Sequence, residues 1–173
     1  MKTSRFFLLF ITITWLFACE PAKNNSPASE AISALENNLY DQEGNLDLNT
    51  ANELISKYEA WADSLPNAPQ TPEYLFIGAD LSINMLNVSR TMRLLDKIIK
   101  DYPTYDKRGL SMFLKAFVYE EQLNDTSLAR KQYELFLSEY PEHDFSDDAK
   151  LAIRNLGKTP EDLIREFEMM ESE

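Results

Sequence analysis

The two side chains best suited to nucleophilic or metal chemistry occur once each, as Cys19 and His143. A transition-metal site draws three or four ligands largely from those two residue types, so no such cluster can assemble and no metal is expected. A nucleophile–histidine–carboxylate arrangement would have to use His143 itself. It stands in Pro141-Glu142-His143-Asp144, a short connection after a helix, and reads as a solvated turn histidine. Carboxylate pairs are plentiful among 29 acids. Glu120-Glu121 reads as a solvated face, and Asp147-Asp148 as the acidic first turn of a helix. The chain has no glycine-rich phosphate loop, no GxSxG and no calcium loop of alternating acids. Neither an enzymatic activity nor a cofactor is expected.

Charge narrows the partners further. The chain carries 17 basic residues, 29 acidic ones and a net charge of −12. Such a surface repels phosphate backbones and anionic headgroups, so nucleic acid is not an expected partner.

Cys19 acquires meaning from what precedes it. Lys2 and Arg5 lead into an uncharged apolar run from Phe6 to Ala18, free of Pro and Gly. A bilayer span needs roughly 20 apolar residues, so this shorter run reads as a signal peptide. It ends in Leu16-Phe17-Ala18-Cys19, which resembles the lipobox of bacterial lipoproteins. The resemblance implies cleavage between Ala18 and Cys19 and covalent lipid on the Cys19 sulfur, with two or more acyl chains giving stable membrane residence. Cys19 is the sole cysteine, so the exported domain must be held by burial rather than by a disulfide. Removal of residues 1–18 leaves 15 basic against 29 acidic residues. The expected organisation is a signal peptide over 1–18, a lipidated Cys and flexible tether over 19–29, and a helical domain over 30–173. The tether, EPAKNNSPAS after the cysteine, reaches at most about 35 Å.

From Glu30 onward apolar residues recur at three- and four-residue intervals, and no comparable segment alternates with period two. The spacing predicts helices near 28–40, 49–65, 73–87, 89–102, 106–123 and 127–140. Segment 112–119 is apolar around most of its circumference, as in a helix sandwiched between neighbours. Ser146 is the expected N-cap of a seventh helix closed by Gly157, and Thr159-Pro160 starts an eighth.

Three of these helices end alike. Leu95-Asp-Lys-Ile98-Ile99-Lys-Asp101-Tyr102-Pro103 aligns without a gap on Tyr133-Glu-Leu-Phe136-Leu137-Ser-Glu139-Tyr140-Pro141, 38 residues later. A weaker copy, from Tyr58 through Trp61 to Pro66, precedes by 37. A two-helix unit at this period marks a solenoid of hairpins, each covering the open face of the last. Ala129, Tyr133, Phe136 and Pro141 resemble the small, aromatic, packing and terminal proline positions of the second helix of a tetratricopeptide repeat. Thr91, Leu95, Ile98 and Pro103 are similar one unit earlier. Gly78 or Ala79, and Ala116, stand where the first helix needs a small residue. The resemblance covers roughly residues 47–152.

The fold expected is therefore all-α: antiparallel helical hairpins stacked as a short right-handed solenoid of seven or eight helices. With the lipobox, this is similar to BamD-like outer-membrane assembly lipoproteins and to periplasmic tetratricopeptide proteins. The resemblance implies an adaptor on the outer membrane facing the periplasm, holding another protein or peptide. The side lined by the first helices forms the groove, and Phe76, Asp80, Phe113 and Phe117 are its candidate residues. Alternative functions are a carbohydrate- or nutrient-binding accessory lipoprotein, for which Trp61 could stack on sugars, and a structural spacer.

Overall fold

A computed structural model describes residues 26–171. Eight α-helices follow in order: α1 (Pro27–Asn37), α2 (Leu48–Ser64), α3 (Thr71–Asn84), α4 (Val88–Asp101), α5 (Arg108–Phe117), α6 (Thr126–Glu139), α7 (Ser146–Asn155) and α8 (Pro160–Glu171). A π-helical turn, Val118–Gln122, extends α5. Among the described residues there is no strand, only an isolated bridge between Tyr40 and Leu46. From α1 to α7 each helix packs on its successor, giving hairpins α1–α2, α3–α4 and α5–α6. The all-helical hairpin stack expected from the repeat is the observed fold.

The second helix of every hairpin starts and stops by the same device. Asp47, Asn87 and Asp125 are N-caps whose side chains accept from the amides of Thr50, Arg90 and Leu128. This satisfies a donor that the first turn leaves orphaned. At the other end Leu65, Tyr102 and Tyr140 take nearly one conformation, with φ of −133°, −126° and −134° and ψ of 58°, 65° and 60°. A proline follows each, which pushes its predecessor out of the α region and cannot extend the helix. The loops then repeat bond for bond. Ala68, Tyr105 and His143 donate their amides to the three C-cap carbonyls, and Thr71, Arg108 and Ser146 donate to Ala68, Tyr105 and His143.

One step along this loop corrects a sequence expectation. Ser146 is the first residue of α7 and not its cap, since the cap is Phe145, which offers no side-chain bond. The Ser146 hydroxyl instead donates to the Tyr140 carbonyl at 2.9 Å, as Thr71 donates to Leu65 at 2.7 Å. Both reach back to the preceding helix end. In the middle copy Arg108 takes that place, its Nε donating to the Ile99 carbonyl at 3.0 Å.

Two more boundaries differ from the periodicity. α1 begins at Pro27, capped by the Ser26 hydroxyl and started by a proline, so residues 27–29 belong to the helix and not to the tether. It ends at Asn37, because Asn38 turns into the loop that bridges Tyr40 to Leu46. The helix expected to run to Leu123 is α-helical only to Phe117, then widens, with Leu123 donating to Val118 and Asp125 to Tyr119. That turn accounts for the uneven period. Asn87 lies 16 residues after Thr71, whereas Asp125 lies 17 after Arg108. The inserted residue is absorbed by a π turn, and the cap of α6 is delivered to the same place as that of α4.

Equivalent positions fill the core. Seven residues before each C-cap stand Tyr58, Leu95 and Tyr133, and four before it Trp61, Ile98 and Phe136; all are buried. Thr91 and Ala129, eleven residues before the C-cap, are wholly buried, as are Ala79 and Ala116, 37 residues apart on α3 and α5. Gly78 is tight as well, since a Cβ there would lie 3.4 Å from Ile55 Cγ2. Small residues let the helix axes approach, and interiors packed to crystal density leave no spare volume. Phe136→Ala is expected to cost about 3–5 kcal/mol and Ala116→Leu about 1–3 kcal/mol, both read from urea unfolding midpoints.

Candidate functional site

On the side formed by the first helices, Phe76, Phe113 and Leu151 each stand five residues after the loop residue that starts the helix. Phe76 meets the Tyr105 ring edge at 6.4 Å, and the Lys107 ammonium lies 4.9 Å above its face. Phe113 meets Phe145, the counterpart of Lys107, at 4.9 Å, and also packs on Tyr133 and Phe136 at 5.5 and 5.7 Å. One notch is thus closed once by a cation and once by a ring. Both phenylalanines are half-buried, anchored to the following hairpin while keeping an open edge. One turn further along, Asp80 is exposed and Phe117 half-buried, with Phe117 outside both core clusters. The four groove candidates therefore lie on one side in two registers. Phe76 and Phe113 divide their surface between packing and solvent, while Asp80 and Phe117 belong more fully to the open face.

Leu151, 45% exposed, extends this row. The 38-residue step from Phe113 was the available signal, hidden because α7 lacks a partner helix ending in Tyr-Pro.

Tyrosine hydroxyls tie first to second helices. Tyr58 donates to Glu36 at 2.6 Å, and Tyr133 to Glu120 at 2.8 Å. Tyr105 donates to Glu73 at 2.6 Å, linking two hairpins. Burial first, and the neighbouring carboxylate second, push all three hydroxyls far above the ordinary tyrosine range. Glu120 is consequently half-buried and bonded, not simply part of a solvated face. Asp147, by contrast, does sit in the exposed first turn of α7, paired with Lys150 at 2.8 Å.

His143 is not a freely solvated turn residue. Its ring stands edge-on to Phe136 at 5.3 Å and to Tyr140 at 6.2 Å, and its Nδ1 accepts from the Phe145 amide at 3.2 Å. Gly109 permits this closeness, since a Cβ there would come within 3.0 Å of the imidazole. Trp61 is 3% exposed and edge-on to Tyr74 at 5.4 Å, which stacks on Tyr58 at 4.7 Å. No face of the indole is presented for sugar stacking. Cys19 and Ala18 lie outside the described residues.

The opposite side is stitched by charge. Glu59 on α2 receives Arg90 at 2.6 Å and Arg93 at 2.5 Å from α4, and Arg108 reaches Glu139 on α6 at 2.5 Å. Between α2, α3 and α4 lies a cavity of about 430 Å³, floored by Ala62, Leu75 and Leu94 and rimmed by Glu59, Asp63, Arg93 and Lys97. Ala62 stands where the later hairpins carry Ile99 and Leu137. Among the described residues no group of three or more His, Cys, Asp or Glu is placed to hold a metal ion.

Residues 110–143 match the tetratricopeptide repeat family. The matched stretch runs from the first turn of α5 through α6 to His143, so it contains the third hairpin from its third residue onward and its terminal proline. The tetratricopeptide hairpin supplies its geometry to the others, whose caps, loops and buried positions repeat it. No curated protein matches the chain. Tetratricopeptide repeats characteristically mediate protein–protein binding.

The ion-paired carboxylates make stability depend on acid. Burial raises the Glu59 carboxyl, but the bonds from Arg90 and Arg93 outweigh it and leave the group below its usual 4.5. Glu73, held by Lys107 and Tyr105 against the same opposition, is also lowered. Groups with depressed folded values stabilise above the unfolded value and lose that contribution as pH falls through the folded one. Thermal melts should therefore show stability constant above about pH 5 and declining below about pH 4.5. Glu59→Gln should lower the melting temperature at pH 7 and flatten part of that acid decline.

Proposed function

We propose that this chain is a lipid-anchored periplasmic scaffold, held to the outer membrane through Cys19, whose tetratricopeptide hairpins recruit another protein during envelope or outer-membrane assembly. The observation that carries the binding function is the row of Phe76, Phe113 and Leu151, repeated at hairpin spacing, with Phe117 one turn beyond Phe113, all with side chains still open to solvent. Repeated, rigid helices present such a row to an extended peptide or a partner helix. A scaffold needs no catalytic group, which fits a lone His143 engaged in packing. The anchor rests on the apolar leader and on Leu16-Phe17-Ala18-Cys19.

Two experiments test the two halves separately. Mass spectrometry of the mature N-terminus should find a diacylglyceryl mass on Cys19, and Cys19→Ala should move the protein from the membrane fraction to the soluble one; an unmodified cysteine in the wild-type membrane fraction would overturn the anchor. Cross-linking in cells followed by affinity purification should recover a reproducible protein partner. An Asp80→Ala/Phe117→Ala double variant should lose it while unfolding within about 1 kcal/mol of wild type, as expected for positions outside the core. Recovery of no reproducible partner would overturn the scaffold.

A further inference from the structure

Acidic and basic residues are distributed unequally between the two sides of the stack. The first helices, α1, α3, α5 with its π turn and α7, hold eight acids (Glu30, Glu36, Glu73, Asp80, Glu120, Glu121, Asp147 and Asp148) and four bases, Arg108, Lys115, Lys150 and Arg154. Two of these bases are directed at second helices, Arg108 to Glu139 on α6 and Lys115 to Asp96 on α4 at 2.7 Å, and Lys150 pairs with Asp147 of its own helix. The second helices, α2, α4 and α6, carry seven acids and seven bases. One basic residue from a loop, Lys107, reaches the first-helix side, where it neutralises Glu73 and covers Phe76. Asp80 and Glu121 are exposed and, among the described residues, in no ion pair.

From this we infer that the segment held on the first-helix face is a cationic polypeptide, with apolar side chains that meet Phe113, Phe117 and Leu151 and Lys or Arg residues that meet Asp80 and Glu121. This rests on the scaffold reading and names the chemistry of its partner. The net charge of the whole chain does not account for it, because the outer helices are balanced while the inner ones are not. An apolar row alone would accept many peptides. Flanking carboxylates attract Lys and Arg and repel Asp and Glu, and such charge arrangements set which partner is chosen and how fast it arrives.

The test uses two fluorescein-labelled peptides with Leu and Phe at the same three- and four-residue spacing, one with Lys and the other with Glu at the remaining positions. Fluorescence anisotropy with the purified full chain should show the Lys peptide binding at least about tenfold more tightly, with the preference shrinking as salt is raised. Asp80→Lys/Glu121→Lys should reduce the preference to under about threefold. Glu53→Lys/Glu134→Lys makes the same change in net charge on exposed positions of α2 and α6 and should leave the preference in place. Equal binding of the two peptides, equal loss in both double variants, or binding of neither peptide overturns the cationic partner. The scaffold itself falls only if cross-linking recovers no partner, so the two failures are told apart.

Discussion

A single helical hairpin cannot bury its own apolar flank, and this structure depends on how that flank is handed to the next hairpin. Phe136 shows the constraint most clearly. It lies on α6 with no exposure, touching Phe113 of α5 within its own hairpin and His143 of the loop that leads to α7. Trp61 and Ile98 occupy the same place in the earlier units. For the contact to recur, the chain must leave each second helix at one angle. The proline after Leu65, Tyr102 and Tyr140 and the repeated amide bonds of the loop impose that angle.

Once the exit angle is fixed, the two sides of the stack can differ. The second helices are tied across hairpins by Arg90 and Arg93 on Glu59, and Arg108 of α5 clamps Glu139 of α6. Exposed ion pairs are individually worth little, but two arginines sharing one carboxylate set the register of α4 on α2. The first helices have fewer such ties. Their open surface is aromatic and acidic, and it is anchored to the following loop through Tyr105 and Lys107 on Glu73 and Phe76 and through Phe145 on Phe113.

The helix order, the three proline-terminated ends and the buried set at the second-helix positions were legible in the sequence, because each is a local pattern with a local cause. Thr159 and Pro160 likewise start α8 as read, with Thr159 and Asp162 exchanging capping bonds. What escaped depends on the path between elements. The apolar run 112–119 carries no mark of the π turn, which arises because one residue too many must fit between fixed ends. His143 looks solvated in a list of turn residues, yet the loop folds it onto Phe136. Ser146 has the composition of an N-cap, but its hydroxyl donates back to the carbonyl of Tyr140. The open placement of Asp80 and Phe117 follows from helical register, while the packing of Phe76 and Phe113 depends on the following loop.

The central claim is that a partner is held on the first-helix side. Its most direct measurement is site-specific photo-cross-linking in cells, with the reactive side chain placed in turn at positions 80 and 117 of the inner helices and 53 and 134 of the outer ones. Adducts of one discrete mass from 80 and 117, and none from 53 and 134, are the predicted result. Adducts from the outer positions alone, or from none of the four, would contradict it.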